Sequence, residues 1–156
     1  GAYVADISFK DIADVFEIRA ALEALAAGLA AERITDEELE EMERLVAEKA
    51  EAIANQDMEK LIKVDTMFHE AIYKASRNQR LTSIISNLRE QIQRYRTTSL
   101  AYPGRMQRSL EEHRSIVEAI QSRDSQIAQQ VAREHIENAE NSIIEAIKKD
   151  GLPLSE

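Results

Sequence analysis

At 156 residues and a formal charge of −9, the chain is long enough to bury one sizeable core. It is also too acidic to grip nucleic acid by its own surface, because such binding rests on Lys and Arg neutralising phosphates. The absence of Cys excludes disulfides, thiolate nucleophiles and cysteine zinc knuckles, so any metal must be held by nitrogen and oxygen. With only four Gly and two Pro, no run near the roughly 18 apolar residues of a membrane span and no signal peptide, the expectation is a soluble, cytoplasmic, all-α protein with no membrane partner.

Residues 1–10 show no helical period and are expected to be extended. From Asp11 to about Arg33, Val15, Ile18, Leu22, Leu25 and Leu29 recur at helical spacing, while a second face carries Ile12, Phe16, Arg19, Glu23, Ala26 and Ala30. Thr35 and Glu38 form a capping box that starts a second helix, running to about Ala54 on a narrow stripe of Leu39, Met42, Leu45 or Val46 and Ile53. Asp57 caps a third helix with Leu61, Val64, Phe68, Ile72 and Ala75, ending near Ser76.

Ser76-Arg77-Asn78 is expected to turn, Asn tolerating left-handed backbone, and a fourth helix follows with Leu81, Ile84, Ile85, Leu88, Ile92 and Tyr95. It ends at residues 101–104, where Pro103 suits the opening of a fifth helix bearing Met106, Leu110, His113, Val117 and Ile120. Asp124 caps the sixth, with Ile127, Val131, His135, Asn138 and Ser142 on one face, and Gly151 and Pro153 end it. These segments predict an antiparallel bundle of six helices.

Asp65 and His69 stand four apart, on one face of the third helix. Alone, that spacing is a weak signal and fits a solvated surface pair better than a metal site. His113 and His135 lie about ten and twelve residues either side of the turn at Arg123, some 15–18 Å from it at the helical rise, and so face each other at one depth. Asp65 and His69 are also mid-helix, so the four groups can meet in one layer. Unpartnered, such a buried polar cluster would cost several kcal/mol. A divalent transition ion held by Asp65, His69, His113 and His135 in a central cavity accounts for it, Zn or Ni first, with Mn, Fe or Co also compatible. A hydrogen-bonded polar core is the structural alternative. Arg19, either paired with Glu23 or pointing inward as an anion fork, and Asn87 and Arg94, with Arg96 as the alternative to Arg94, are candidates for binding a small organic acid. His69-Glu70-Ala71-Ile72-Tyr73 starts like the zinc-protease HExxH but ends in Tyr, and Glu112 and Glu134 are expected to face away from the ion. No nucleophile–base pair or phosphate loop is present, so no enzyme activity is expected.

The ordered set of Glu17–Glu23 with Ala30–Arg33, Asp65–His69 with Ala75–Asn78, Glu112–Ile120 with Arg123 and Asp124, and Arg133–His135 covers nearly the whole chain. It closely resembles the C-terminal effector domain of FadR-type GntR transcription regulators, often called the FCD domain. The family's one-Asp, three-His ligand set falls on the same four residues, and Gln79 departs from a Pro common there. The six-helix count looks like the VanR-type subgroup. The resemblance implies a homodimer, a small carboxylate effector near the metal, and DNA contact only through an N-terminal winged helix-turn-helix. On that basis residues 1–10 would be a remnant of its wing and linker, 11–150 the effector-binding and dimerisation domain, and 151–156 a tail. A helical metal hydrolase and a dimerisation module stapled by metal are the competing readings.

Overall fold

The computed structural model describes residues 3–150. Its elements are α1 Tyr3–Arg33, α2 Asp36–Ala54, α3 Met58–Ser76, α4 Gln79–Ser86, α5 Arg89–Ala101, α6 Arg105–Gln121 and α7 Ser125–Asp150. The expected all-α architecture is observed, with two changes. First, α1 starts at Tyr3, so the stretch expected to be extended is helical; no Gly or Pro lies between Tyr3 and Gly28, and an existing helix lengthens at little cost until something stops it. Second, there are seven helices among the described residues, because the expected fourth is divided into α4 and α5. The subgroup expectation that rested on a count of six loses that support. Gly1, Ala2 and the expected stop at Gly151 and Pro153 lie outside the described residues.

Local chemistry sets most of the boundaries. Thr35 accepts from the Glu38 amide and Glu38 accepts from the Thr35 amide, both at 3.1 Å, completing the capping box. Asp57, Asn78 and Asp124 each accept from a first-turn amide of α3, α4 and α7. The left-handed residue before α4 is Arg77 (φ 53°), leaving Asn78 in extended conformation as the N-cap. Gly104 (φ 81°) precedes α6, which therefore opens at Arg105, after Pro103.

Helix α1 lies along α7 and also against α3; α2 packs on α3 and α6, and α6 on α7. The inner face of α1 is the one bearing Ile12, Phe16, Arg19, Glu23, Ala26 and Ala30, all buried. Its small alanines let α7 and α3 approach closely, leaving Ile18 and Leu25 about half exposed, at 49% and 44%, on the other side. One apolar cluster fills the space among α1, α2, α3 and α6, and a second, around Phe16, Tyr95 and Ile143, joins α1, α5 and α7. Between them lies a layer of polar side chains.

Candidate metal and effector site

Six of the seven helices contribute to that layer. Helix α3 places Asp65 and His69 one turn apart on its buried face, α6 supplies His113 and α7 His135. A nitrogen from each histidine lies within 4.8 Å of the others. The Nε2 atoms of His113 and His135 are 3.2 Å apart, while those of His69 and His113 stand 3.9 and 3.7 Å from the Asp65 oxygens. Phe68 stacks flat on His113, with ring centroids 4.0 Å apart, and fixes that ring's plane.

The outward nitrogens of two rings are anchored by carboxylates: His69 Nδ1 lies 3.2 Å from Glu23 Oε1, and His135 Nδ1 2.6 Å from Glu112 Oε1. A carboxylate only accepts, so the proton sits on Nδ1 and the Nε2 lone pair faces inward. Glu23 also accepts from Tyr73 and Arg19, and Arg105 clasps Glu112 with two guanidinium nitrogens at 2.6 and 2.8 Å. Asp65 is held twice over, by Lys49 Nζ at 2.7 Å and Arg96 Nε at 2.8 Å.

Burial drives all three imidazoles toward the neutral form. His69 falls below its ordinary pKa in spite of Glu23, His113 falls well below it with Lys49 adding to the effect, and His135 drops to about 4 despite its bond to Glu112. Burial works against the carboxylates but is outweighed: Glu23 is lowered by its bonds to His69, Arg19 and Tyr73, Asp65 well lowered by the Lys49 and Arg96 cations, and Glu112 reaches about 2 through its bonds to His135 and Arg105. Neutral imidazoles with carboxylate-anchored outer nitrogens and converging inner ones suit a divalent transition ion.

Two cavities share His69 and Arg96 as a wall. One is an open cleft of about 590 Å³ between α3, α4 and α5, lined among others by Thr66, Tyr73, Arg77, Gln93 and Arg96. The other is an internal space of about 20 Å³, room for a single water-sized group, bounded by Arg19, Asp65, His69, Arg105 and His135. Ser99 Oγ and Arg105 Nε, both on its lining, are buried without a hydrogen-bond partner.

Of the residues singled out in the sequence, the three histidines meet, Asp65 stands beside them, and Arg19 both pairs with Glu23 at 3.2 Å and lines the internal space. Arg94 and Asn87 are exposed and belong to neither lining, Arg94 being two positions, some 200° of helix, from Arg96. Glu134 is exposed, and Glu112 stands on the outward side of His135, where it orients that ring through Nδ1. Lys49 was not anticipated. The signal was its position three residues after Val46 and three before Ala52, both buried, so that a lysine completes the α2 apolar stripe.

A family model described as the FCD domain matches residues 14–138. An uncharacterized helix-turn-helix transcriptional regulator of Bacillus subtilis strain 168, YdhC, is 28% identical over 137 residues, covering 86% of this chain and 61% of that protein. The galactonate operon transcriptional repressor of Escherichia coli K12 is 31% identical over 124 residues, 78% of this chain and 52% of the repressor. Among solved structures, Streptococcus agalactiae GntR superposes with a TM-score of 0.74 at 30% identity, covering 86% of this chain and 60% of that one. The chain thus spans about three fifths of the length of such relatives.

Proposed function

The chain belongs to the FCD domain family of transcription regulators, and from that premise we propose that it is the effector-sensing part of a cytoplasmic, DNA-binding regulator that responds to a small organic acid. Asp65, His69, His113 and His135 would hold one divalent transition ion, Zn or Ni before Mn, Fe or Co, which when bound supplies open coordination positions for a carboxylate. The observation that carries this reading is the shared wall: His69 and Arg96 border both the internal space and the open cleft. A ligand in the cleft therefore meets one member of the histidine cluster, His69, together with Arg96.

Charge supports an acidic ligand. Arg19, Lys49, Arg96 and Arg105 are buried cations, against Glu23, Asp65 and the partly buried Glu112, with the three histidines neutral. The layer is one positive charge in excess before any ion enters, so an anion is favoured there electrostatically. The orphaned Arg105 Nε donor also calls for an acceptor oxygen. Arg19 and Arg96 are placed to pair with such an oxygen. Arg94 and Asn87 have no such position.

DNA contact would come from a winged helix-turn-helix preceding residue 11, with residues 1–10 as its connection and 11–150 as the sensing and dimerisation domain. We assign homodimerisation to the outer stripe of α1. An effector that binds one arrangement of the dimer more tightly shifts the population toward it and is coupled to DNA affinity by the same factor in both directions.

The test is elemental analysis of protein purified without added metal or chelator, followed by a thermal-shift screen of mono- and dicarboxylates, sugar acids and amino acids. One transition ion per chain and a further rise in Tm with a restricted set of acids are expected. A metal-dependent Tm with no response to any acid would favour a stapling role, and sustained metal-dependent ester or amide hydrolysis would favour the hydrolase reading.

A further inference from the structure

Lys49 lends its charge to this layer, yet the sensing function gives it no contact with metal or effector. It projects from α2 into the core with 1% of its surface exposed. Its Nζ lies 2.7 Å from Asp65 Oδ1, 2.6 Å from Ser109 Oγ and 3.3 Å from His113 Nδ1. A lysine ammonium has three donors and no acceptor, so all three hydrogens are used and each neighbour must accept.

That requirement fixes the tautomer of His113. With Nδ1 accepting from Lys49, the neutral ring carries its proton on Nε2, and that proton faces His135 Nε2 at 3.2 Å. His135 is complementary, since its own proton is on Nδ1, donated to Glu112. Lys49, His113, His135 and Glu112 form one directional chain in which every donor meets an acceptor. The chain is complete without an ion.

An ion held by the inward nitrogens needs the opposite arrangement at His113: a lone pair on Nε2 and a proton on Nδ1. That proton would point at the Lys49 ammonium, donor against donor. Lys49 also takes one Asp65 oxygen while Arg96 takes the other, so the carboxylate would have to be shared as well. His69 and His135 already present the ligating tautomer. Only His113 does not.

We propose that Lys49 is a resident cation that competes with the metal, holding His113 in the non-ligating tautomer and Asp65 in an ion pair, so that loading requires Lys49 to withdraw from His113. This rests on the metal reading above. It makes Lys49 a residue that sets metal affinity from outside the ligand set, by stabilising the metal-free cluster.

The experiment compares the full chain with Lys49→Met, which removes charge and donors at similar length, and Lys49→Gln, which keeps a donor amide without the charge. Zinc affinity is measured by competition with a chromophoric chelator, and far-UV circular dichroism in EDTA checks that each variant is helical. Both variants should bind zinc at least about tenfold more tightly, equivalent to ~1.4 kcal/mol. Long-range proton–nitrogen spectra of the metal-free wild type should place the His113 proton on Nε2 and move it to Nδ1 when zinc is added. Equal or weaker zinc affinity in a folded variant, or an Nδ1 proton on His113 in the metal-free wild type, overturns the role of Lys49 and leaves the metal reading standing. Failure of all three proteins to take up zinc would instead overturn the metal reading and this proposal with it.

Discussion

Arg94 and Arg96 differ by two positions on α5 and by everything that decides a role. Arg96 is buried against Asp65 and borders both cavities; Arg94 is exposed. Removing one partner of a buried pair costs about 3–5 kcal/mol, whereas an exposed truncation usually stays within about 0.5 kcal/mol. Arg96→Ala is accordingly expected to lower the urea midpoint markedly and abolish the response to acids, and Arg94→Ala to do neither; equal effects would refute the assignment. His113→Ala should cut metal content while the helical spectrum is retained, and unchanged zinc affinity would exclude His113 as a ligand. The histidines were legible in the sequence because each sits on an apolar stripe, where an imidazole without a partner makes no sense. Lys49 was not, because a lysine on such a stripe can lay its stem along the core and lift its ammonium to water. Which course it takes depends on what stands opposite, here Asp65 and Ser109.

At the scale of elements, what was legible was local. Caps are read from three or four adjacent residues, and Thr35, Asp57 and Asp124 all perform as their sequence context indicates. Thr35→Ala should cost about 1 kcal/mol in chemical denaturation with zinc affinity unchanged, and a change in zinc affinity would mean that the cap is coupled to the site. The division between α4 and α5 was hidden because Leu81, Ile85, Leu88 and Ile92 keep helical spacing through it. The backbone there shifts to tighter i to i+3 bonds, from Asn87 N to Ile84 O and Leu88 N to Ile85 O. Ser86 meanwhile bonds back to the Thr82 carbonyl, the kind of local competition that weakens a helix. The cleft lies where the division falls, bordered by α3, α4 and α5. The face of α1 was equally hard to assign, because larger side chains do not guarantee the inner side when alanines allow closer packing.

Across the whole molecule, the buried layer ties stability to pH. A histidine whose folded pKa is depressed stabilises the fold fully above its unfolded pKa of about 6.5, and that contribution is lost as pH falls toward the folded value. For His135, displaced to about 4, the loss is on the order of 3 kcal/mol, and His69 and His113 act in the same direction. Glu112, with a folded pKa of about 2, adds a loss of the same sign that begins as pH falls into the ordinary carboxylate range and is complete only below the folded value. In EDTA, urea denaturation should show stability decreasing from pH 7 to pH 5, before carboxylates dominate; a flat profile would refute neutral buried imidazoles. The outer stripe of α1 gives a second test at this scale. Ile18→Asp combined with Leu25→Asp should convert a dimer to a monomer in analytical ultracentrifugation without loss of helicity, and an unchanged dimer would place the interface elsewhere.

Helix α1 has one more consequence. It runs unbroken from Tyr3 past Glu23, about 30 Å at the helical rise, and Glu23 is gripped by His69 and Tyr73. An unbroken helix has no joint in which to dissipate a displacement. In mechanical terms α1 is a single lever held at the histidine layer through Glu23, with no hinge in the roughly five helical turns between that residue and Tyr3.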